Sequence, residues 1–264
     1  MALHLPLCFV DEGEPEQLPV VFLHAFPYHS GMWAGQRSLL AGRARFLSLD
    51  ARGLGPEAPP PRAYMLDHLV DDLFALLDQR GIASCVLCGL SMGGYVALRA
   101  IQREPARVRG LCLSNTQANS DSDEAKLARA QGLRVLARDG EAVFAQAQLQ
   151  RQLSPHTLAT RPELVHKLRQ LIADSSVEGI AASLVALATR TDLRASLATI
   201  GVPTAIVVGA EDTITPADTA RVMSESIAGA ELHVIERAGH LASLEAEESF
   251  NQVLLSLIAR VRQT

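Results

Sequence analysis

The sequence lacks the features of membrane, secreted and nucleic-acid-binding proteins. No stretch contains the roughly 18 consecutive apolar residues that a transmembrane helix needs. The first residues have neither the positive segment nor the long apolar core of a secretion signal, so we expect a cytoplasmic protein. The formal net charge is −5, whereas proteins that bind nucleic acid usually present a basic patch. These absences predict no membrane partner and no nucleic-acid partner.

Cysteine is also scarce, and its spacing does not indicate a metal site. Two of the four cysteines, Cys85 and Cys88, form a C-x-x-C pattern. They lie in an apolar, strand-like run, where residues three apart point to opposite faces of a sheet. We therefore interpret them, with Cys8 and Cys112, as small buried hydrophobic residues. No group of histidines and cysteines has the spacing of zinc ligands, so we predict no metal and no cofactor.

Short apolar runs and longer helical patterns alternate along the chain. The 264 residues are 48% hydrophobic and 20% charged, a composition typical of a folded domain whose core needs no disulfides. Near-continuous hydrophobicity in the short runs favours a parallel sheet covered on both faces. Residues 66–77 and 250–261 have helical spacing, and residues 3–10 can add an antiparallel edge hairpin. The predicted fold class is therefore α/β, with a mostly parallel, doubly wound sheet. The predicted strands are residues 20–23, 46–49, 85–88, 111–113, 205–208 and 232–235.

One long segment interrupts this alternation. Residues 120–198 contain no strand-like run, and their alanine, leucine, glutamine and arginine content favours helix. The segment is therefore expected to be a helical insertion between two strands. The predicted organisation is a first core part over residues 1–119, the insertion over 120–198 and a second core part over 199–264.

A candidate nucleophile follows the predicted strand at residues 85–88. Residues 89–93 match the pattern G-x-S-x-G, and a helical pattern begins directly after them. This strand–turn–helix setting is that of a nucleophile elbow, in which Gly89 and Gly93 leave room for a tight turn that presents Ser91. The alternative is a glycine-rich turn with a purely structural role.

A serine hydroxyl is a weak nucleophile near neutral pH and needs an adjacent base. His240, in the loop after the last predicted strand, is the best candidate for that base. Asp212 follows the strand at residues 205–208 and is the candidate acid that orients the imidazole; its neighbour Glu211 is easily confused with it. The chain order serine, aspartate, histidine is the order that accompanies a nucleophile elbow of this kind.

Other histidines compete less well for the role of base. His24 directly follows the predicted strand at residues 20–23, and we interpret it as a brace for the loop that begins there, with direct chemistry as the alternative. His29 lies near the expected mouth of the pocket, and His233 lies inside a predicted strand.

An oxyanion formed during acyl transfer needs backbone N–H donors. Met92 follows the candidate nucleophile and supplies one donor by position, whereas Phe26, in the loop after residues 20–23, is the candidate for the second. The predicted lining of the substrate pocket is largely apolar and consists of Phe26, Trp33, Met92 and Leu241.

The order of these motifs resembles that of the α/β-hydrolase superfamily. Within it, the elbow and the pair Asn115 and Thr116 are similar to serine carboxylesterases, 3-oxoadipate enol-lactonases and cofactor-free haloperoxidase-like enzymes. The resemblance implies a Ser-His-acid triad and a helical cap inserted after the sixth strand. Ala25 departs from the glycine that many relatives have. The matching segments are residues 24–27, 50–55, 89–94, 209–212 and 239–240.

The leading functional hypothesis is a serine hydrolase that cleaves small to medium uncharged carboxylic esters through an acyl-enzyme. The alternative is a lactonase resembling the 3-oxoadipate enol-lactonases, whose anionic substrate requires a basic side chain facing the pocket. A non-hydrolytic lyase or a ligand-binding receptor on the same scaffold is a third hypothesis. The expected partner is thus a small ester or lactone, and the sequence does not indicate an oligomeric state.

Overall fold

The computed structural model describes residues 7–264, which form a seven-stranded, mostly parallel sheet with helices on both faces. The strand order is β1-β3-β2-β4-β5-β6-β7. β1 runs antiparallel to β3, and every other neighbouring pair is parallel. The strands are β1 (Phe9–Glu12), β2 (Pro19–Leu23), β3 (Arg45–Leu49), β4 (Cys85–Leu90), β5 (Val108–Ser114), β6 (Thr204–Gly209) and β7 (Glu231–Ile235).

The two helices that the apolar spacing predicts, at residues 66–77 and 250–261, are present as α2 and α11. The pattern at residues 66–77 becomes α2, and its chain reverses at Gly81, which has a φ of 63°. The α-helices are α1 (Ala34–Leu40), α2 (Leu66–Gln79), α3 (Met92–Arg103), α4 (Asp123–Asp139), α5 (Glu141–Gln152), α6 (Pro155–Thr160), α7 (Pro162–Ala173), α8 (Val177–Ala188), α9 (Ala217–Ser226), α10 (Ala242–Glu245) and α11 (Glu247–Val261).

The predicted edge hairpin is only partly within the described chain. Residues 3–6 lie outside it, and the described part contributes β1 as an antiparallel edge strand beside β3. Three of the cysteines are buried and Cys8 is half-buried. Among the described residues no single helix is long and apolar enough to cross a membrane, and the apolar pair α7 and α8 is bent by 93°.

Helices α4 to α8 lie between β5 and β6, where the sequence predicts a helical insertion. Within the described residues the insertion follows the fifth strand of the sheet, whereas the resemblance placed it after the sixth. The division of the chain at residues 119 and 198 remains a prediction.

The parallel sheet brings distant parts of the sequence to one edge. β4 is buried along its whole length in the centre of the sheet, with β2 and β5 beside it. Since the carboxyl ends of parallel strands meet at the same edge, the loops after β2, β4, β5, β6 and β7 converge there. The insertion packs over this edge and encloses a cavity between itself and the sheet.

Candidate active site

Ser91 occupies a strained turn between β4 and α3. Its φ and ψ are 55° and −111°, a backbone conformation that non-glycine residues seldom adopt. The turn is possible because a Cβ on Gly89 would lie 2.3 Å from the Gly93 carbonyl oxygen, and one on Gly93 would lie 2.0 Å from the Leu23 carbonyl oxygen. Both contacts exclude any side chain. The two glycines therefore allow α3 to start close to the end of β2.

Three polar side chains form a continuous hydrogen-bonded chain at the edge of the sheet. His240 Nε2 lies 2.8 Å from Ser91 Oγ, and His240 Nδ1 lies 2.8 Å from Asp212 Oδ2. His240 is only 2% exposed and Asp212 4%. The structure thus brings together the three residues that the sequence proposes as nucleophile, base and acid, and it leaves the serine facing a cavity.

The Asp212 carboxylate accepts four further hydrogen bonds. Oδ2 accepts from Asn115 Nδ2 at 2.8 Å and from Thr215 Oγ1 at 2.7 Å. Oδ1 accepts from the backbone N–H groups of Ile214 and Thr215 at 2.8 and 3.0 Å. Burial alone would raise the pKa of Asp212, but His240 and these donors outweigh it and hold the pKa below its ordinary value. Asp212 is therefore ionised at neutral pH.

The lowered pKa of Asp212 predicts a pH dependence of stability. The folded protein binds this proton more weakly than the unfolded chain, whose aspartate pKa is about 3.9. Ionised Asp212 therefore stabilises the fold fully above that pH, and the contribution is lost as the pH falls through the lowered pKa. We expect the wild type to exceed Asp212→Asn in free energy of unfolding near pH 7, and urea denaturation should show the gap narrowing below about pH 4. A gap that stays constant into this acidic range would contradict the argument.

Several residues that support this chain had no clear signal in the sequence. Asn115 is indicated only by the family resemblance, and Thr215 belongs to no motif of the sequence analysis. Gln152 and Glu245 had no pattern at all. The backbone carbonyl of Gln152 accepts the His240 N–H at 2.7 Å, and Glu245 Oε1 accepts the N–H groups of the two residues that flank His240.

Two backbone N–H groups lack a partner in the described chain at the positions where the sequence predicts the oxyanion donors. Within the described residues, neither the Phe26 N–H nor the Met92 N–H makes a hydrogen bond. The Phe26 N–H belongs to the same peptide group as the Ala25 carbonyl. That carbonyl accepts hydrogen bonds from His24 Nδ1 at 3.0 Å and from the Tyr28 N–H at 2.9 Å. Because the carbonyl is held, the direction of the N–H on the opposite side of that peptide is restrained.

The competing histidines have structural contacts instead. His24 Nε2 accepts from the Ala51 N–H at 2.8 Å while its Nδ1 holds the Ala25 carbonyl, so the imidazole braces the loop after β2. His29 accepts from the Gly31 N–H and lies 3.4 Å from Asp174. Neither imidazole is among the described residues that line the cavity.

The cavity above Ser91 has a volume of about 210 Å³. Of the predicted lining, Phe26 faces it, with its ring edge against Phe144 of the insertion. The structure places the other three side chains elsewhere. Trp33 is fully buried between the rings of Phe22 and Phe250, because the short helix Ser30–Trp33 turns it towards the sheet. Met92 and Leu241 are likewise buried in the core.

The cavity wall is more polar than the sequence predicted, because the insertion supplies charged side chains to it. Asp121 bridges two arginines: Arg190 Nη2 lies 2.8 Å from Asp121 Oδ1, and Arg129 Nε bonds to Oδ2. Burial lowers the pKa of Arg190, and Asp121 opposes this. The third arginine, Arg151, has no ion pair within residues 7–264. The insertion and the segment just before it contribute twelve residues to the cavity wall: Gln117, Asp121, Ala125, Ala128, Arg129, Gly132, Gln148, Arg151, Gln152, Leu184, Leu187 and Arg190.

Comparison with known proteins places this fold and site in a family. A sequence model of the alpha/beta hydrolase fold matches residues 19–247. The chain is 29% identical to 3-oxoadipate enol-lactonase 2 of Acinetobacter baylyi over 98% of this chain and 95% of that protein. It superimposes on a malate-bound thermophilic esterase of Thermogutta terrifontis with a TM-score of 0.90 and 34% identity, covering 97% of this chain and 93% of the other. For the enol-lactonase of Burkholderia xenovorans LB400 the TM-score is 0.88 and the identity 27%, with 96% of both chains covered. The chain therefore belongs to the alpha/beta hydrolase fold family, which confirms the fold class predicted from the order of its motifs.

Proposed function

We propose that this protein is a serine hydrolase that cleaves carboxylic esters through an acyl-enzyme. The observation that carries the proposal is the position of His240, whose two ring nitrogens lie 2.8 Å from Ser91 Oγ and 2.8 Å from Asp212 Oδ2. A base within hydrogen-bond reach of a nucleophile, itself oriented by a carboxylate, is the arrangement that acyl transfer requires. The similarity to an esterase and to enol-lactonases supports the same chemistry.

In the acylation step, Ser91 Oγ attacks the carbonyl carbon of the ester and its proton moves to His240 Nε2. Asp212 keeps the other imidazole proton on Nδ1 and stabilises the imidazolium that forms. The carbonyl oxygen becomes an oxyanion, for which the Phe26 and Met92 N–H groups are the proposed donors. These two donors have no other acceptor within the described residues, so they are available to the transition state.

The tetrahedral intermediate then collapses. The bond between the carbonyl carbon and the alkoxy oxygen breaks, and His240 Nε2 gives its proton to the departing alkoxide. A water molecule next attacks the acyl-enzyme with His240 again as base, and the Ser91 oxygen leaves with that proton. The products are a carboxylic acid and an alcohol, and the enzyme returns to its initial protonation state.

The charges of the cavity favour a lactone or ester that carries a carboxylate, and this is the second candidate function. Three arginines and one aspartate, Asp121, line the cavity wall, so positive charges exceed negative ones by two. Asp121 neutralises part of the positive charge of Arg129 and Arg190, whereas Arg151 can pair with a substrate anion. In a lactone, the alkoxide leaving group stays attached to the acyl chain after acylation. This polar wall argues against the small to medium uncharged esters that the sequence predicted.

Steady-state hydrolysis of p-nitrophenyl esters from acetate to laurate tests the proposed function, with Ser91→Ala as the blank. Turnover that depends on Ser91 would support the acyl-enzyme, and the preferred chain length would report the depth of the cavity. A lactone panel follows, in which each carboxylate-bearing lactone is compared with its methyl ester. No Ser91-dependent turnover with either panel would contradict the proposal.

Removing the Arg151 charge is expected to weaken binding of anionic substrates selectively. In Arg151→Met, we expect KM for a carboxylate-bearing substrate to rise about tenfold, because a charge-assisted hydrogen bond contributes about 1.5–3 kcal/mol and this side chain is partly solvated. KM for the neutral methyl ester should change less than twofold. Arg134→Met is the matched control, since Arg134 is an exposed arginine of α4 outside the cavity lining. An equal rise in KM for both substrates would rule out pairing between Arg151 and the carboxylate.

A further inference from the structure

One residue of the helical insertion contacts both loops of the proposed catalytic machinery. Gln152, the last residue of α5, is 3% exposed. Its side-chain Nε2 donates to the Phe26 carbonyl at 3.1 Å, and its Oε1 accepts from the Tyr28 hydroxyl. Its backbone carbonyl accepts from the His240 N–H at 2.7 Å. A single residue thus joins the insertion, the loop after β2 and the loop after β7.

We propose that Gln152 is a positioning residue for acyl transfer, which orients the Phe26 peptide and so the oxyanion donor through its side-chain amide. The proposal rests on the proposed ester-hydrolase function, and it assigns to the insertion a part in transition-state stabilisation as well as in shaping the cavity. Gln152 acts through Phe26 and is not itself a donor to the oxyanion.

The contacts around Phe26 explain how a distant amide can control a backbone N–H. The carbonyl before this N–H, that of Ala25, is held by His24 and by the Tyr28 N–H. The carbonyl after it, that of Phe26 itself, is held by Gln152. With both flanking peptides anchored, φ and ψ of Phe26 cannot vary independently. Releasing the second anchor frees ψ of Phe26, so that the Ala25–Phe26 peptide is held from one side alone and its N–H has a wider range of directions.

The Phe26 carbonyl and the Tyr28 hydroxyl together determine which way the Gln152 amide faces. Burial raises the pKa of Tyr28 well above its ordinary value, so the phenol stays protonated and donates. A carbonyl oxygen can only accept, so the Gln152 NH₂ group must face the Phe26 carbonyl and its oxygen then faces the Tyr28 hydroxyl. Both ends of this buried amide have a partner, and the reverse orientation would set the amide oxygen against the Phe26 carbonyl oxygen, two acceptors.

The backbone anchoring of this segment does not depend on the Gln152 side chain. Glu245 Oε2 accepts the Ser154 N–H at 2.8 Å while its Oε1 accepts the Gly239 N–H at 2.9 Å. A Cβ on Gly239 would lie 2.7 Å from the Gln152 carbonyl oxygen, so the two loops are in close contact. A side-chain substitution at position 152 therefore removes the contacts to Phe26 and Tyr28 and leaves the contact to His240 in place.

The test is the kinetics of Gln152→Met, in which a side chain of similar length lacks both polar groups. We expect kcat to fall about tenfold, a fraction of the 10²–10³-fold loss that removal of an oxyanion donor causes. KM should stay within twofold, because the oxyanion contact exists only in the transition state. Gln150→Met is the matched control, since Gln150 is an exposed glutamine of the same helix outside the cavity lining, and its kcat should be unchanged.

The inhibition constant of a boronic acid provides a second measurement, whose value does not depend on how much of the protein is folded. Boron binds Ser91 Oγ, the hydroxyl proton moves to His240, and the adduct imitates the tetrahedral intermediate. Its inhibition constant should rise in Gln152→Met by the same factor as kcat/KM falls. Tyr28→Phe should cause a smaller loss, and the double variant should resemble Gln152→Met, because both act through one amide.

The outcomes separate this proposal from the proposed function. If the wild type shows no Ser91-dependent turnover, the ester-hydrolase function fails. If the wild type is active and folded Gln152→Met keeps its kcat and its boronate affinity, the positioning role alone is overturned. Should Gln152→Met not fold, Tyr28→Phe still decides: a fall in kcat with unchanged KM supports the role, and wild-type kinetics overturn it.

Discussion

Ester turnover by Ser91→Ala is expected to fall about 10⁶-fold in kcat, the loss found when a serine hydrolase loses its nucleophile. The reason is local: Ser91 Oγ is the group that His240 Nε2 can deprotonate at 2.8 Å, and alanine leaves the base without a nucleophile. His240→Ala should cause a similar loss. The double variant that combines Ser91→Ala and His240→Ala should lose little more kcat than either single variant, because the residues act as a unit.

Steady-state kinetics on the preferred p-nitrophenyl ester, extended by long incubations at high enzyme concentration, can follow a loss of this size. His156→Ala is the control for His240→Ala, since His156 is exposed on α6 away from the cavity lining. Thermal melting must first establish that each variant is folded. Turnover near the wild-type rate by folded Ser91→Ala would falsify the acyl-enzyme mechanism.

Asp212→Asn is expected to lower kcat by about 10⁴-fold while leaving the geometry of the site nearly intact. The backbone N–H groups of Ile214 and Thr215 donate to Asp212 Oδ1 and cannot reverse. The oxygen of the introduced amide should therefore face them, and its NH₂ should face His240 Nδ1. That arrangement favours the imidazole tautomer with its proton on Nε2, which cannot accept the proton of Ser91.

Glu211→Gln is the matched control for this substitution, because Glu211 is the adjacent acidic residue and its side chain is exposed. It removes the same charge and should keep kcat within about twofold, as expected for a solvated surface charge. The pair of variants also separates the two carboxylates that are hardest to distinguish in the sequence. A large loss in Glu211→Gln with normal turnover in Asp212→Asn would show that Glu211, and not Asp212, orients the imidazole.

The elements that carry the site follow from local patterns in the sequence. Gly89 and Gly93 with a serine between them, preceded by an apolar run and followed by a helical pattern, predict an elbow without reference to the rest of the chain. Asp212 and His240 each follow a predicted strand. Once the strands are parallel and adjacent, their following loops must share one edge. The proximity of residues as far apart as Ser91 and His240 is therefore a consequence of strand order.

The cavity lining could not be predicted in the same way. Trp33 follows the loop after β2 and is apolar, which suits a pocket, but its helix turns it against Phe22 and Phe250. The insertion contains many basic residues, and periodicity does not distinguish Arg151, which lines the cavity, from Arg134, which faces outwards. The direction of each depends on how α4 and α5 pack against the core.

The sequence by itself determined the fold class, the order of the strands along the chain and the loops that hold the candidate nucleophile, base and acid. These features depend on the backbone and on hydrophobic periodicity, which are encoded within windows of a few to about 18 residues. Only the tertiary structure decided the charge of the cavity and the contacts of Gln152 with Phe26, Tyr28 and His240. Those contacts join segments more than 80 residues apart. The physical reason is that side-chain directions between distant segments are determined by the packing of one element on another.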